Sequence, residues 1–259
     1  MKSHAETYKG LGFAAFVHRT RLRTILNILE QLKLSTIQGS WADFGCSDGF
    51  IFQHVSASIL FHWKLYGFDH AQQLLKAARE RNIANAQFDY FQLNNICNTY
   101  CEHFELVTCF EAIEHTGNYR NAFENLYIST KPGGHLIISV PNEVGFIGIM
   151  KILGRKFIRR NAYLSFFEQN RGTEMDYISC LIRGKDIEMF RRNPNGYGAH
   201  LGFNYKNFEL YIQTQYMNKG VLLLLKTERP FIGFNRIYIF HKPIRNAPLR
   251  KNDIHREKN

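Results

Sequence analysis

Between Trp41 and Pro141 the chain alternates short apolar runs with amphipathic stretches, and this rhythm restricts its fold more than any other feature. Trp41–Phe44, Lys64–Phe68, Gln87–Leu93, Phe104–Phe110 and His135–Val140 have the length and composition of strands. Phe50–Leu60, Ala71–Arg81 and Tyr119–Thr130 carry apolar residues at helical spacing between them. Successive strands separated by helices are parallel, because a parallel neighbour needs a crossover. Right-handed crossovers then put helices on both faces and a binding crevice at the strands' C-terminal ends. The expected fold is α/β, a doubly wound, mostly parallel sheet of Rossmann-like type.

The flanks add to this core. A helix is expected from about Phe16 to Leu34, with Ile25, Leu26, Ile28, Leu29 and Leu32 as its apolar stripe and Arg19, Arg21 and Arg23 near its start. Gly39-Ser40 breaks that helix, and Lys131-Pro132-Gly133-Gly134 reads as a turn. Past Pro141 the rhythm is lost until Tyr205. This stretch is basic and aromatic, with Gly172, Gly184, Pro194, Gly196, Gly198 and Gly202, and reads as an insertion or lid. A helix over Asn207–Tyr216, a strand over Val221–Thr227, a turn at Pro230–Gly233 and a strand over Arg236–His241 follow. At 259 residues, 45% of them hydrophobic, the chain suits one domain. Its expected parts are an N-terminal helical segment 1–37, a core 38–141, an insertion or lid 142–205, a last helix and strands 206–244, and a basic tail 245–259.

Asp43-Phe44-Gly45-Cys46-Ser47-Asp48-Gly49 follows the first strand. Small residues at 45, 47 and 49 let backbone approach a ligand and turn sharply into a helix, whose first N–H groups are free. Asp69 ends the second strand, where doubly wound folds place an acid that accepts from ribose hydroxyls. Gly45-Cys46-Ser47-Asp48-Gly49 also fits the hydrolase nucleophile elbow, but a hydrolase needs oxyanion-hole glycines upstream, and helical sequence stands there. The nicotinamide spacing of glycines does not match. A glycine turn without a ligand is the plain alternative. After the fourth strand comes Phe110-Glu111-Ala112-Ile113-Glu114-His115, and the fifth strand is flanked by Lys131-Pro132-Gly133-Gly134 and Pro141-Asn142.

Over roughly residues 38–141 these motifs resemble the class I S-adenosylmethionine-dependent methyltransferases, particularly the broad family that includes the quinone-biosynthesis and small-molecule O-methyltransferases. Asp43, Gly45 and Gly49 match that family's acidic-x-Gly-x-Gly-x-Gly motif, and Ser47 departs from it. The resemblance implies that Asp43, Gly45, Cys46, Ser47 and Gly49 surround the methionine part of S-adenosyl-L-methionine, with Asp69 and His70 at the ribose. The Asp usual after the third strand is missing, and Asn94 stands near its place, with an amide oxygen able to accept from the adenine amino group. Phe110 and Glu111 would border the cofactor. Glu-x-x-Glu-His in such enzymes lies beside the transferable methyl group. His115 is the candidate general base and Glu114 its orienting partner or an acceptor contact; the alternative is that His115 only caps its loop. In some relatives, small-RNA 2′-O-methyltransferases among them, this motif binds a divalent ion. Glu111, Glu114 and His115 with His200 could do so, yet metal-free relatives carry the same residues, and no metal is assigned.

The net charge of +11 bears on partners and not on fold. Lys151, Arg155, Lys156, Arg159 and Arg160 stand together without an acid, among Phe146, Ile147, Ile149, Met150, Ile152, Leu153, Phe157 and Ile158. Such a segment suits an anionic membrane surface or a phosphorylated substrate, or is a lid helix with a solvated face. The acceptor expected is a small molecule, sugar-linked or lipid-linked, methylated at oxygen; RNA is the runner-up, and a cofactor-binding interaction module without turnover is a further reading. Oligomeric state is not legible. The polar N-terminus and the odd set of five cysteines point to a cytoplasmic protein with reduced thiols, possible at a membrane periphery.

Overall fold

A computed structural model describes residues 13–32, 38–55, 62–95, 98–158, 173–191, 202–217, 221–227 and 235–244. The element order is α1 (Phe13–Gln31), β1 (Gly39–Phe44), α2 (Phe50–His54), β2 (Trp63–Asp69), α3 (Gln72–Glu80), β3 (Ala86–Tyr90), β4 (Phe104–Phe110), α4 (Tyr119–Ser129), β5 (Thr130–Pro141), α5 (Gly145–Ile158), α6 (Glu174–Arg183), α7 (Tyr205–Gln215), β6 (Leu222–Thr227) and β7 (Asn235–His241). Short 3-10 turns lie at Ile113–His115 and Ile187–Phe190. The strands form one seven-stranded sheet in the order β3-β2-β1-β4-β5-β7-β6. β1 to β5 pair in parallel, and β7 is antiparallel to both β5 and β6. The order reverses at β1, so the C-terminal ends of β1 and β4 form the edges of the crevice.

The central strands are mostly apolar because both faces of the sheet are buried there, while the edge strand β3 buries only Phe88. On one face Ala42, Phe44, Val107, Cys109, Leu136 and Ile138 pack under α4 and α7, through Phe123, Leu126, Phe208 and Ile212. On the other, Trp41, Leu65, Leu106 and Ile137 meet Ile25, Ile28 and Leu29 of α1 and Phe50–Phe52 of α2. Residues between β5 and α7 have a small core of their own, Ile152, Tyr177, Cys180, Leu181, Ile187 and Phe190. Helix ends are set locally. Asn118 caps α4 through its side chain, Thr173 and Asp176 form a capping box on α6, and Gly184 closes α6 in the left-handed conformation.

Several sequence expectations shift. The helix ends at Gln31, and Gly39 and Ser40 already belong to β1, where Ser40 N–H and Oγ both bond Glu105 Oε2 at 2.7 Å. The described part of α2 ends at His54, and 56–60 lie outside the described residues. Lys131–Gly134 is not a free turn: it lies within β5, where the register against β4 jumps from Phe104↔Thr130 to Leu106↔His135. Gly133 N–H donates to Lys242 O there, and Lys242 N–H to Gly134 O, so the strand end extends the pairing beyond β7. The stretch expected as an insertion or lid contains two regular helices, α5 and α6. The 230–233 turn, Arg159, Arg160, His200, Cys97 and the 245–259 tail lie outside the described residues. Cys46, Cys101, Cys109 and Cys180 are free thiols. Among the described residues no helix is long and apolar enough to cross a membrane.

Candidate active site at the strand ends

β1 delivers Asp43 and then a turn held to β2. Gly45 and Cys46 N–H both donate to Phe68 O, at 2.7 and 3.0 Å. Gly45 has φ +82°, and a Cβ placed on it would lie 2.3 Å from the Ala112 Cβ. The glycine is therefore required by the β4 loop, which packs directly on this turn, as well as by its backbone conformation. Ser47 also sits at positive φ, 53°, and its N–H donates to Asp69 Oδ2 at 2.9 Å. Asp69 Oδ1 accepts from Ala71 N–H at 2.8 Å, with His70 Nδ1 at 3.4 Å. One carboxylate thus ties the glycine turn to the start of α3, and each of its oxygens keeps acceptor capacity for a further donor. Asp48 and Gly49 follow, with Asp48 fixed to Arg81 Nη2 at 2.6 Å.

Asp43 is buried under this turn. Trp41 Nε1 donates to Thr108 Oγ1 at 2.8 Å, and Thr108 donates onward to Asp43 Oδ1 at 2.6 Å. Burial pushes the Asp43 carboxyl up to about 7; the Thr108 bond pulls it down and the Asp69 charge adds to the rise. Burial likewise raises the Cys46 thiol well above its ordinary value, so Cys46 is a neutral wall residue of the turn.

β4 delivers the second half. Phe110 is buried at the strand's end. Glu111 adopts φ +52°, its N–H donates to Ser139 O at 3.0 Å, and its Oε1 lies 3.3 Å from Ser139 Oγ. Its Oε2 is 3.2 Å from Arg21 Nη1, a guanidinium only 3% exposed and carried on α1. Glu114 is 1% exposed, and its Oε2 has no hydrogen-bond partner among the described residues. Burial drives its carboxyl well above the usual range, helped by the Glu111 and Glu143 charges and opposed by Arg21. His115 is 39% exposed, with Nε2 4.0 Å from Glu114 Oε1, beyond hydrogen-bond length. Arg191, which follows the second 3-10 turn, donates to the carbonyls of Glu114 (3.1 Å) and Thr116. Its guanidinium lies over Phe203 at 5.6 Å and Tyr119 at 6.0 Å.

The sequence-predicted residues fall into two groups that meet where Gly45 touches Ala112. Asp43, Gly45, Cys46, Ser47, Gly49, Asp69 and His70 form one group, and Phe110, Glu111, Glu114 and His115 the other. Asn94 has protein partners of its own. Its Oδ1 accepts from Asn118 N–H at 3.2 Å and its carbonyl from Asn121 Nδ2 at 2.9 Å, so it anchors the loop after β3 to the start of α4. Its Oδ1 keeps acceptor capacity for a further donor. His200 lies outside the described residues, and among those described no three His, Cys, Asp or Glu side chains are grouped to hold a metal ion.

Sequence reasoning missed Arg21, Glu143 and Arg191. Glu143 is buried and bonded to Lys151 Nζ at 3.2 Å. A signal existed for Arg21. It falls at helical spacing with the buried Ile25 and Ile28, on the face that enters the core, whereas Arg23 is exposed.

This topology and strand-end loop arrangement belong with known proteins. A family model described as a methyltransferase domain matches residues 16–188. The chain therefore belongs to the methyltransferase-domain family, in the class I fold that uses S-adenosylmethionine as methyl donor. A ubiquinone biosynthesis O-methyltransferase of Acinetobacter baylyi is 23% identical over 167 residues, 59% of this chain and 66% of that protein. A protein of the same description from Yersinia pestis is 23% identical over 136 residues, 51% of this chain and 55% of the relative. The chain thus spans less than two thirds of the length of these relatives. Among solved structures, the carbon methyltransferase of CurJ superposes with a TM-score of 0.55 at 12% identity, covering 92% of this chain and 57% of that one. An O-methyltransferase family protein from Burkholderia thailandensis gives 0.52 at 13% identity, covering 90% and 61%. These likenesses show the fold.

Proposed function

We propose that this protein transfers a methyl group from S-adenosylmethionine to an oxygen of a small-molecule, sugar-linked or lipid-linked acceptor, and that residues 1–259 act as one domain. The carrying observation is the Asp69 carboxylate, fixed by Ser47 and Ala71 N–H groups at the end of β2 beside the glycine turn. A carboxylate so placed, with acceptor capacity left on both oxygens, suits a ribose diol. Gly45, Cys46, Ser47 and Gly49 would border the methionine moiety, His70 the ribose, Asn94 the adenine edge, and Phe110 and Glu111 the far wall. S-adenosylmethionine supplies a methyl group on a sulfonium already activated for displacement. The chain's own task is alignment and, for a hydroxyl acceptor, proton removal.

His115 is the base in this reading. Its ring reaches solvent, whereas Glu114 is sealed beneath it. Glu114 would orient the His115 ring from beneath, through a hydrogen bond that forms if the 4.0 Å gap closes in the complex. The lipid-linked choice draws on α5, where Phe146, Met150 and Leu153 recur at helical spacing and are 74%, 50% and 42% exposed. Arg155 lies along the same segment, with Arg159 and Arg160 following in the sequence. An apolar stripe in a segment rich in basic residues suits an anionic lipid surface.

Calorimetry with S-adenosylhomocysteine tests the donor site. One site per chain is expected, weakened in Asp69→Ala by about 1–3 kcal/mol; no heat and no thermal shift with either cofactor form would remove the assignment. Co-sedimentation with phosphatidylglycerol vesicles, lost in Phe146→Ser/Met150→Ser, tests the lipid surface.

A further inference from the structure

We propose that Arg21 is the built-in cation of the Glu111–Glu114–His115 loop and stands where a divalent metal ion would otherwise sit. Two carboxylates and an imidazole on one short loop are a donor set that ordinarily attracts such an ion. Here the set is arranged for a guanidinium. Glu111 Oε2 faces Arg21 Nη1 at 3.2 Å, in a contact almost sealed from water, and Oε1 is engaged by Ser139 Oγ at 3.3 Å. Both oxygens of the one carboxylate at the loop's mouth thus have partners.

The other donors stand apart from this ion pair. Glu114 is 1% exposed, and the separation of its Oε1 from His115 Nε2 is 4.0 Å. Two ligands of one first-row ion, each bonded at about 2.0–2.2 Å, stand about 3–4 Å apart, so this pair stays within reach of an ion once the guanidinium is removed. Glu143, the third buried acid acting on Glu114, is engaged by Lys151 Nζ at 3.2 Å. Arg191 fixes the loop from a third element through the Glu114 and Thr116 carbonyls.

The placement of Arg21 supports the same assignment. It projects from the buried stripe of α1, beside Leu22 and Ile25, where a charged side chain is unfavourable unless paired. Its pairing with Glu111 joins the N-terminal helix to the β4 loop across the second core. A metal ion could be lost to a chelator; a guanidinium on a packed helix cannot.

Arg21 is a positioning residue here. The inference rests on the methyl-transfer reading for what the loop does, but not for what it holds, and the test separates the two. Metal-stripped protein is titrated by calorimetry with MnCl2 and MgCl2, and separately with S-adenosylhomocysteine. Wild type is expected to bind the cofactor product and to show no stoichiometric metal site. Arg21→Ala is expected to gain a Mn2+ site at least tenfold tighter than any wild-type binding, seen also as a rise in thermal midpoint on adding Mn2+. Arg21→Lys keeps the charge and should behave as wild type. A wild-type Mn2+ site that Glu111→Gln abolishes would overturn the proposal, as would a folded Arg21→Ala protein without new Mn2+ affinity. If Arg21→Ala does not fold, the wild-type and Glu111→Gln titrations decide alone. Failure of cofactor-product binding would count against the methyl-transfer reading and leave the metal result standing.

Discussion

Replacing Gly45 with Ala adds one methyl group at the contact between the two halves of the site. The backbone there has φ +82°, and the new Cβ would lie 2.3 Å from the Cβ of Ala112. Left-handed backbone costs an L residue about 1–2 kcal/mol. Two carbons need roughly 3.5–4.0 Å, so one segment must retreat by more than an ångström, and overpacking of that kind costs about 1–3 kcal/mol. The expected loss is about 2–5 kcal/mol, a large part of the stability of an ordinary domain. Urea denaturation measures it directly. The second substitution, Ala112→Gly, removes the opposing methyl. In the double variant the steric part should return while the backbone part remains, giving a coupling of about 1–3 kcal/mol between the two sites. Cofactor-product affinity should fall in Gly45→Ala and recover partly in the double variant, because the contact displaced is between protein segments. A Gly45→Ala protein as stable as wild type, or one that Ala112→Gly does not rescue, would show that the turn and the β4 loop do not touch in this way.

Asp43 gives a pH prediction. Its folded carboxyl is raised to about 7 from 3.8, so the folded state holds a proton that the unfolded chain has released. Stability from this group is fully present below about pH 4 and is lost as pH rises through 7, an effect of order 4 kcal/mol. Asp43→Asn, which still accepts from Thr108, should flatten that decline in urea midpoints between pH 5 and 8; an unchanged slope would refute the buried-proton account. His115→Ala should leave S-adenosylhomocysteine affinity within a few-fold and lower turnover by about 10²–10⁴, and equal turnover would return His115 to a loop-capping role. Arg191→Met should loosen the Glu114–Thr116 loop, leaving two buried carbonyls with a lost donor at about 1–3 kcal/mol of stability, with Arg191→Lys recovering part; calorimetric scans of the two variants decide.

The strands were legible because each stands out locally. Phe104–Phe110 is the observed β4 to the residue, an apolar run flanked by turn residues. The glycine turn and Asp69 were legible for the same reason, since strand ends carry the crevice in this topology. What could not be read were contacts made across the chain. Arg21 reaches Glu111 and Arg191 reaches Glu114 over long stretches of sequence, and nothing near either arginine signals its partner. The turn expected at Lys131–Gly134 failed through the same gap. Its Pro-Gly-Gly composition is that of a turn, but pairing with Lys242 draws it into the sheet. Asn94 was placed at the right loop end, while its partner Asn118 was invisible without the α4 cap.

The strand order has a consequence for how the molecule is assembled. β7 lies between β5 and β6, so β6 has no neighbour in the sheet until a later segment slides in beside it. While the chain is being synthesised, β5 presents a bare apolar edge and the Leu222–Leu225 run waits unpaired. Closure requires residues 235–241 to enter a slot bounded on both sides and to make the long-range pairings that slow folding most. Until then the nascent protein is at its most adhesive, and a released fragment ending before Asn235 should be a far better chaperone client than one ending a few residues past His241.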